Sequence, residues 1–200
     1  MLLAGVLLGL SAGLAPGPLL TLVAIQTLAH GTRHGARVAI APLLSDAPII
    51  LLAVGLVGSL AIVDWVLPVL SLAGGCVVMF LAVEGVGAEL PQPPRQSVTA
   101  SLYRGVLVNL LNPQPWLFWF TLGAPMLVES QRAIGWSAPL VFILVFYGLL
   151  VGLKLLMAVV LGRYRGRLGA AWYRRVMRGL SVLLGAFALY LIGDGFLQLV

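Results

Sequence analysis

Asn109-Leu110-Leu111-Asn112-Pro113-Gln114-Pro115 lies in the middle of a long apolar segment, and its reading decides the fold. From Gly105 to Val128 no side chain is charged, so the segment is long enough to cross a bilayer. Yet its middle holds two asparagines, a glutamine and two prolines. Pro113 and Pro115 lack a backbone donor and clash with carbonyls one turn earlier, so the helix is expected to break there. In lipid the freed carbonyls need partners, which confines such a break to protein interior or to a polar cavity. The first apolar segment carries a comparable interruption at Ala15-Pro16-Gly17-Pro18. Paired interruptions in corresponding halves of a membrane chain point to a transporter's binding site.

Working outward, composition fixes the class. Apolar residues make up 61% of the 200 positions and charged residues only 9%. A soluble domain carries about a quarter charged residues, so this chain cannot cover a water-facing surface. With a mean hydropathy of +1.09, the chain reads as an all-α integral membrane protein. Its apolar runs are continuous rather than alternating, which argues against a β-barrel. The N-terminal run lacks the positive flank of a secretory signal and is long for one, so it reads as an uncleaved first span. Cys76, the single cysteine, cannot form an internal disulfide.

Six transmembrane helices are expected, near residues 2–29, 38–60, 66–86, 102–126, 137–161 and 179–199. Ten Lys and Arg fall in the first, third and fifth connections, and one falls in the second and fourth. The odd connections are therefore read as cytoplasmic, with both termini outside a plasma (inner) membrane. In the fifth, the arginines from Arg163 to Arg178 are interleaved with Tyr164, Trp172 and Tyr173. That mixture reads as an amphipathic stretch on anionic inner-leaflet lipid rather than as a nucleic-acid patch. Pro91-Gln92-Pro93-Pro94 marks a linker, dividing the chain into 1–86, a cytoplasmic segment 87–101, and 102–200. Each half holds three spans, an odd number, so the halves sit in opposite orientation as two inverted three-helix repeats. The first helix of each is broken by prolines.

Asp46 lies inside the second span between Pro42 and Pro48. A charge at that depth costs on the order of 2.5–3.5 kcal/mol, so it needs a protein or water partner. Lys154 is the other charge within a span, and at roughly 1.5 Å rise per residue both lie about 12 Å from the cytoplasmic end. They could meet, or Lys154 could snorkel while Asp46 bonds backbone freed near Pro48. Asn109 and Asn112 share a helix face one turn apart and can satisfy freed backbone or bind a polar ligand. Pro16-Gly17-Pro18 lets the chain turn and bares helix N–H groups that suit an anionic group, or else it is a kink. Tyr147, seven residues before Lys154, can line the same cavity or serve packing. Trp116, Phe118, Trp119 and Phe120 read as core or lipid-facing, and His30 and His34 as residues of a solvated loop. No nucleophile elbow, zinc or phosphate-loop motif is present, and no cofactor is expected.

These pieces together resemble the LysE-type (lysine exporter) translocators, which export amino acids and related small metabolites. Pro16-Gly17-Pro18 carries the resemblance, with Gly31-x-Arg33-x-Gly35 leading into the span of Asp46, Leu72-Ala73-Gly74, and the run from Gly105 to Pro113. The resemblance implies a six-helix bundle of inverted repeats exporting solute in exchange for protons. It implies roles for the Pro-Gly-Pro, Asp46 and Asn112-Pro113 positions, with Pro115 in the same break. Leu19 and Leu20 after Pro-Gly-Pro, Ser45 before Asp46 and Val77 in the third span depart from the family pattern. They leave the solute open. The expected partners are a small zwitterionic solute, the proton and the lipid bilayer, with a homodimer as an admissible assembly. The competing readings are a membrane enzyme acting on a lipid-linked substrate and a non-transporting membrane subunit.

Overall fold

The computed structural model describes residues 1–56, 61–86, 98–165 and 170–199. Pro91–Pro94, Arg95 and Arg167 lie outside the described residues, as do the side chains of Asp64 and Tyr173. The described residues are helical, without a strand. They form α1 (Leu2–Leu14), α2 (Pro18–His30), α3 (Thr32–Ala39), α4 (Ala41–Gly55), α5 (Ala61–Val86) and α6 (Val98–Leu110). After these come α7 (Pro113–Phe118), a π-helical turn (Trp119–Gly123), α8 (Ala124–Ile134), α9 (Ser137–Arg165) and α10 (Ala170–Leu199). Among them Thr32–Gly55, Ser137–Arg165 and Arg174–Gln198 are long and apolar enough to cross a membrane, as are α1 and α2 taken as one bent span. Leu3, Leu51, Phe80, Leu144 and Leu197 are all more than two-thirds exposed, an outer surface suited to lipid rather than water. The chain is an integral membrane protein.

Both proline interruptions are breaks in the helix. α1 and α2 meet at 57°, and α6 stops at Leu110 before α7 starts at Pro113. Elsewhere the helices run past the expected edges. α2 ends at His30, Gly31 turns the chain with φ of 102°, and α3 begins at Thr32. A positive φ of that size favours glycine. Arg33, His34 and Arg37 are thus helical, and His34 is buried at 3% exposure rather than solvated. His34 Nδ1 donates to Ser101 Oγ at 2.8 Å, and Ser101 donates to Gln26 Oε1 at 3.1 Å, which removes the need for water. Arg163 and Arg165 lie in the last turn of α9, and Arg174, Arg175 and Arg178 lie in the first turns of α10.

α1 and α9 run side by side in the same direction. Gly5, Gly9 and Gly13 form the buried stripe of α1, and a Cβ on Gly9 would lie 2.8 Å from the Phe146 carbonyl. Small residues at four-residue spacing allow this backbone-to-backbone approach. At the far end of α9, Arg165 donates to the Leu28 and Ala29 carbonyls at 2.8 Å each, closing the last turn of α2. Two apolar clusters fill the interior. One joins α2, α3, α5, α6 and α10 around Leu22, Val38 and Leu184. The other joins α1, α4, α7–α8 and α9 around Ile49, Trp119 and Phe146. The two breaks lie where these clusters meet.

Candidate functional site

The first break can be followed bond by bond. In a continuous helix the Ala12 carbonyl would accept from the N–H of residue 16, but Pro16 has none. Gly17, extended at φ −175°, carries the chain away and leaves the Gly13 carbonyl without its helical donor. Lys154 supplies the missing donors: Nζ donates to Ala12 O at 2.9 Å and to Gly13 O at 3.4 Å. On the other side of the break Pro18 opens α2, and Gly17 offers no side chain to cap it. The N–H groups of Leu19 and Leu20 therefore have no partner within the helix.

The second break is closed differently. The Gln114 N–H, which would serve the Leu110 carbonyl, donates instead to Asn112 Oδ1 at 3.1 Å. Trp116 Nε1 then donates to Leu110 O at 2.8 Å. Asn112 is thus the N-cap of α7, and this end of the helix is satisfied from within. Asn109, one turn earlier, has another task.

Asp46 is 4% exposed on α4. Its Oδ1 accepts from Asn109 Nδ2 at 2.6 Å and its Oδ2 accepts from Tyr147 Oη at 2.9 Å. The same Asn109 nitrogen donates to Ser45 Oγ at 2.7 Å, and Ser45 donates to the Ala41 carbonyl at 3.1 Å. The Trp119 ring stacks on Tyr147 with centroids 6.3 Å apart. Gly105, between Ser101 and Asn109, holds α6 against α3 and α4; a Cβ there would meet Val38 and Ala41. That contact brings Asn109 to the carboxyl.

These groups surround a cavity of about 240 Å³. Gly17, Pro18, Asn112 and Pro115 line it at the breaks, and Asp46, Asn109 and Lys154 supply its charged and amide groups. Tyr147 reaches Asp46 from behind this lining, while Pro16 and Pro113 shape the breaks without facing the space. Lys154 and Asp46 both face the cavity, but no ion pair joins them among the described residues. The lysine is committed to α1. Gln114 and Phe146, to which the sequence reading gave no role, and Trp119, read there as core or lipid-facing and buried in the core, also line the space. The aromatic pair gives no polar pattern to read, whereas Gln114 stood in plain view between two prolines. No group of three metal-ligating side chains occurs among the described residues.

The cavity therefore presents cationic and amide donors from the first break and a carboxyl from α4. It is small against the roughly 300–1,000 Å³ of pockets that take drug-sized ligands, and so fits a small polar molecule. Neither the comparison with curated proteins nor that with solved structures gave a match. Residues 10–195 match the family model of the LysE type translocator. Members of that family are membrane transporters of amino acids or related compounds, not enzymes. With the match running over nearly the whole chain, this protein belongs to the LysE type translocator family.

Proposed function

We propose that the protein is a secondary exporter of a small zwitterionic metabolite, working by proton antiport and alternating access across the inner membrane. The observation that carries this reading is that one cavity holds both kinds of recognition group. The uncapped N–H groups of Leu19 and Leu20, with Lys154 beside them, suit a carboxylate. Asp46 suits an ammonium, held in place by Asn109 and Tyr147. A carboxyl that takes either a proton or the solute's ammonium, but not both, makes the two compete for one site. Competition of that kind is the elementary requirement of antiport. The two breaks, one in each half, support an inverted-repeat plan of six spans with the site near mid-membrane and both termini outside. Motion of each half about its break would then open the cavity to one side at a time.

The test is uptake of labelled amino acids into proteoliposomes under an imposed pH gradient, with Asp46→Asn alongside. Gradient-driven accumulation that is lost in Asp46→Asn, with insertion and thermal unfolding retained, is the expected result. Wild-type accumulation by Asp46→Asn refutes the coupling role.

A further inference from the structure

The central cavity holds two amides that the fold leaves with unused capacity. Asn112, only 6% exposed, lines it, and its Oδ1 accepts from the Gln114 N–H at the cap of α7. That bond sets the orientation of the amide, and Nδ2 forms no hydrogen bond among the described residues. Gln114 lines the same cavity, and its side-chain amide likewise forms none. Its Oε1 lies 3.7 Å from where a Cβ on Gly17 would stand, so this amide faces the first break from the second. A solute that fills a cavity displaces water, and polar groups that it fails to bond weaken its binding.

Charge narrows what these amides can meet. Asp46 and Lys154 are the only ionisable side chains among the described residues that line the cavity. With an ammonium at Asp46 and a carboxylate at the α2 N-terminus beside Lys154, the occupied cavity sums to zero charge. One further charge on the solute, of either sign, would lie inside the membrane without a counter-charge, which is strongly unfavourable. The carboxylate already has the Leu19 and Leu20 N–H groups, and an amide sets beside its nitrogen an oxygen that a carboxylate repels. A neutral hydroxyl or amide both donates and accepts, so it can serve Gln114 Oε1 and Asn112 Nδ2 together.

We propose that Asn112 and Gln114 bind the side chain of the exported solute, and that the solute is an α-amino acid whose side chain is uncharged and hydrogen-bonding. This rests on the reading above of Asp46 and the α2 N-terminus as the sites for the ammonium and the carboxylate. Gln114 is the specificity-determining residue of the pair, because Asn112 also caps α7 and cannot change without loosening that helix. A site that hydrogen-bonds a solute group discriminates against the analogue lacking it, because its own polar groups are then left bare. Leucine, close to asparagine in shape, is therefore disfavoured against asparagine by about tenfold or more. Lysine and glutamate are disfavoured by about a hundredfold or more, for want of a counter-charge.

The experiment measures KM for labelled asparagine, leucine, lysine and glutamate in proteoliposomes of wild type, Gln114→Leu and Gln114→Glu. The Gln114 side chain is exposed and bonds to no other part of the fold, so both variants should fold, which thermal unfolding checks. In wild type the lowest KM should be that for asparagine, then leucine, with the two charged amino acids far above both. Gln114→Leu should bring the asparagine and leucine values to within about twofold of each other. Gln114→Glu supplies a counter-charge and should lower the lysine value about tenfold or more while glutamate stays excluded. Equal handling by wild type of asparagine and leucine, or of asparagine and lysine, overturns the side-chain role while leaving amino acid transport standing. An equal rise for every amino acid in Gln114→Leu, or loss of all transport in both folded variants, overturns it too and assigns the amide to the carboxylate. An unchanged ratio of asparagine to leucine in Gln114→Leu removes Gln114 from specificity and refutes the proposal. Transport of no amino acid by wild type overturns the proposed function and the side-chain role with it.

Discussion

Lys154→Met removes the ammonium that closes the first break while keeping an unbranched side chain of similar length. The wild-type contact to Ala12 O is a full charged hydrogen bond at 2.9 Å, and that to Gly13 O is a weaker one at 3.4 Å. Hydrogen bonds to charged groups contribute about 1.5–3 kcal/mol, and each buried carbonyl left bare costs about 1–3 kcal/mol. Relief from burying an ammonium offsets part of this, so the net loss is about 2–3 kcal/mol. For a chain of this length 1 kcal/mol moves Tm by roughly 2–4 °C, giving a fall of about 4–12 °C. Thermal unfolding in detergent, followed by tryptophan fluorescence, reads this directly. A double-mutant cycle with Pro16→Ala isolates the cause, because alanine restores an N–H that can serve the Ala12 carbonyl. Lys154→Met should then cost about half as much in the Pro16→Ala background. Strict additivity of the two changes refutes the capping role. So does full rescue of Lys154→Met by Asp46→Asn, which would mean that the lysine acts chiefly as a counter-charge to the carboxylate.

Tyr147→Phe deletes one of the two donors to Asp46 and keeps the ring that stacks on Trp119. Gradient-driven transport should fall about tenfold, from a loss of roughly 1.5 kcal/mol, with a fall in Tm of about 3–6 °C. Gly9→Val drives a side chain against the Phe146 carbonyl and should destabilise by about 1–3 kcal/mol, whereas Gly148→Ala, which meets open space, should be neutral in the same melt.

The two breaks were legible because prolines there stand beside Gly17 or Asn112, which let the chain turn away, whereas the lone Pro48 and Pro68 stay inside α4 and α5. Asp46 was legible from cost alone, since a carboxyl in an apolar run must have partners. The identity of those partners was not. Asn109 and Asn112 have the same residue type one turn apart, and only the seat of α6 on α4 gives one to Asp46 and the other to the cap of α7. Lys154 and Asp46 are unlike charges at similar depth, which invites pairing. Which carbonyls are orphaned can be read from Pro16, but that α9 lies beside α1 to serve them cannot. His34 read as a loop residue because Gly31 and two nearby arginines resemble a connection; the helix resumes one residue later, and Ser101 on α6 covers the imidazole.

The bond from Lys154 to Ala12 spans 142 positions of sequence. α1 leaves the ribosome well before α9, and its last turn has two carbonyls that nothing near it in sequence satisfies. At synthesis rates of about 5–20 residues per second, the lysine that completes it emerges on the order of ten seconds later. Until then α1 rests in the membrane as an unfinished helix, held open to water or to passing polar partners. α1 is therefore completed only when α9 arrives, and a chain interrupted before α9 leaves α1 exposed to quality control.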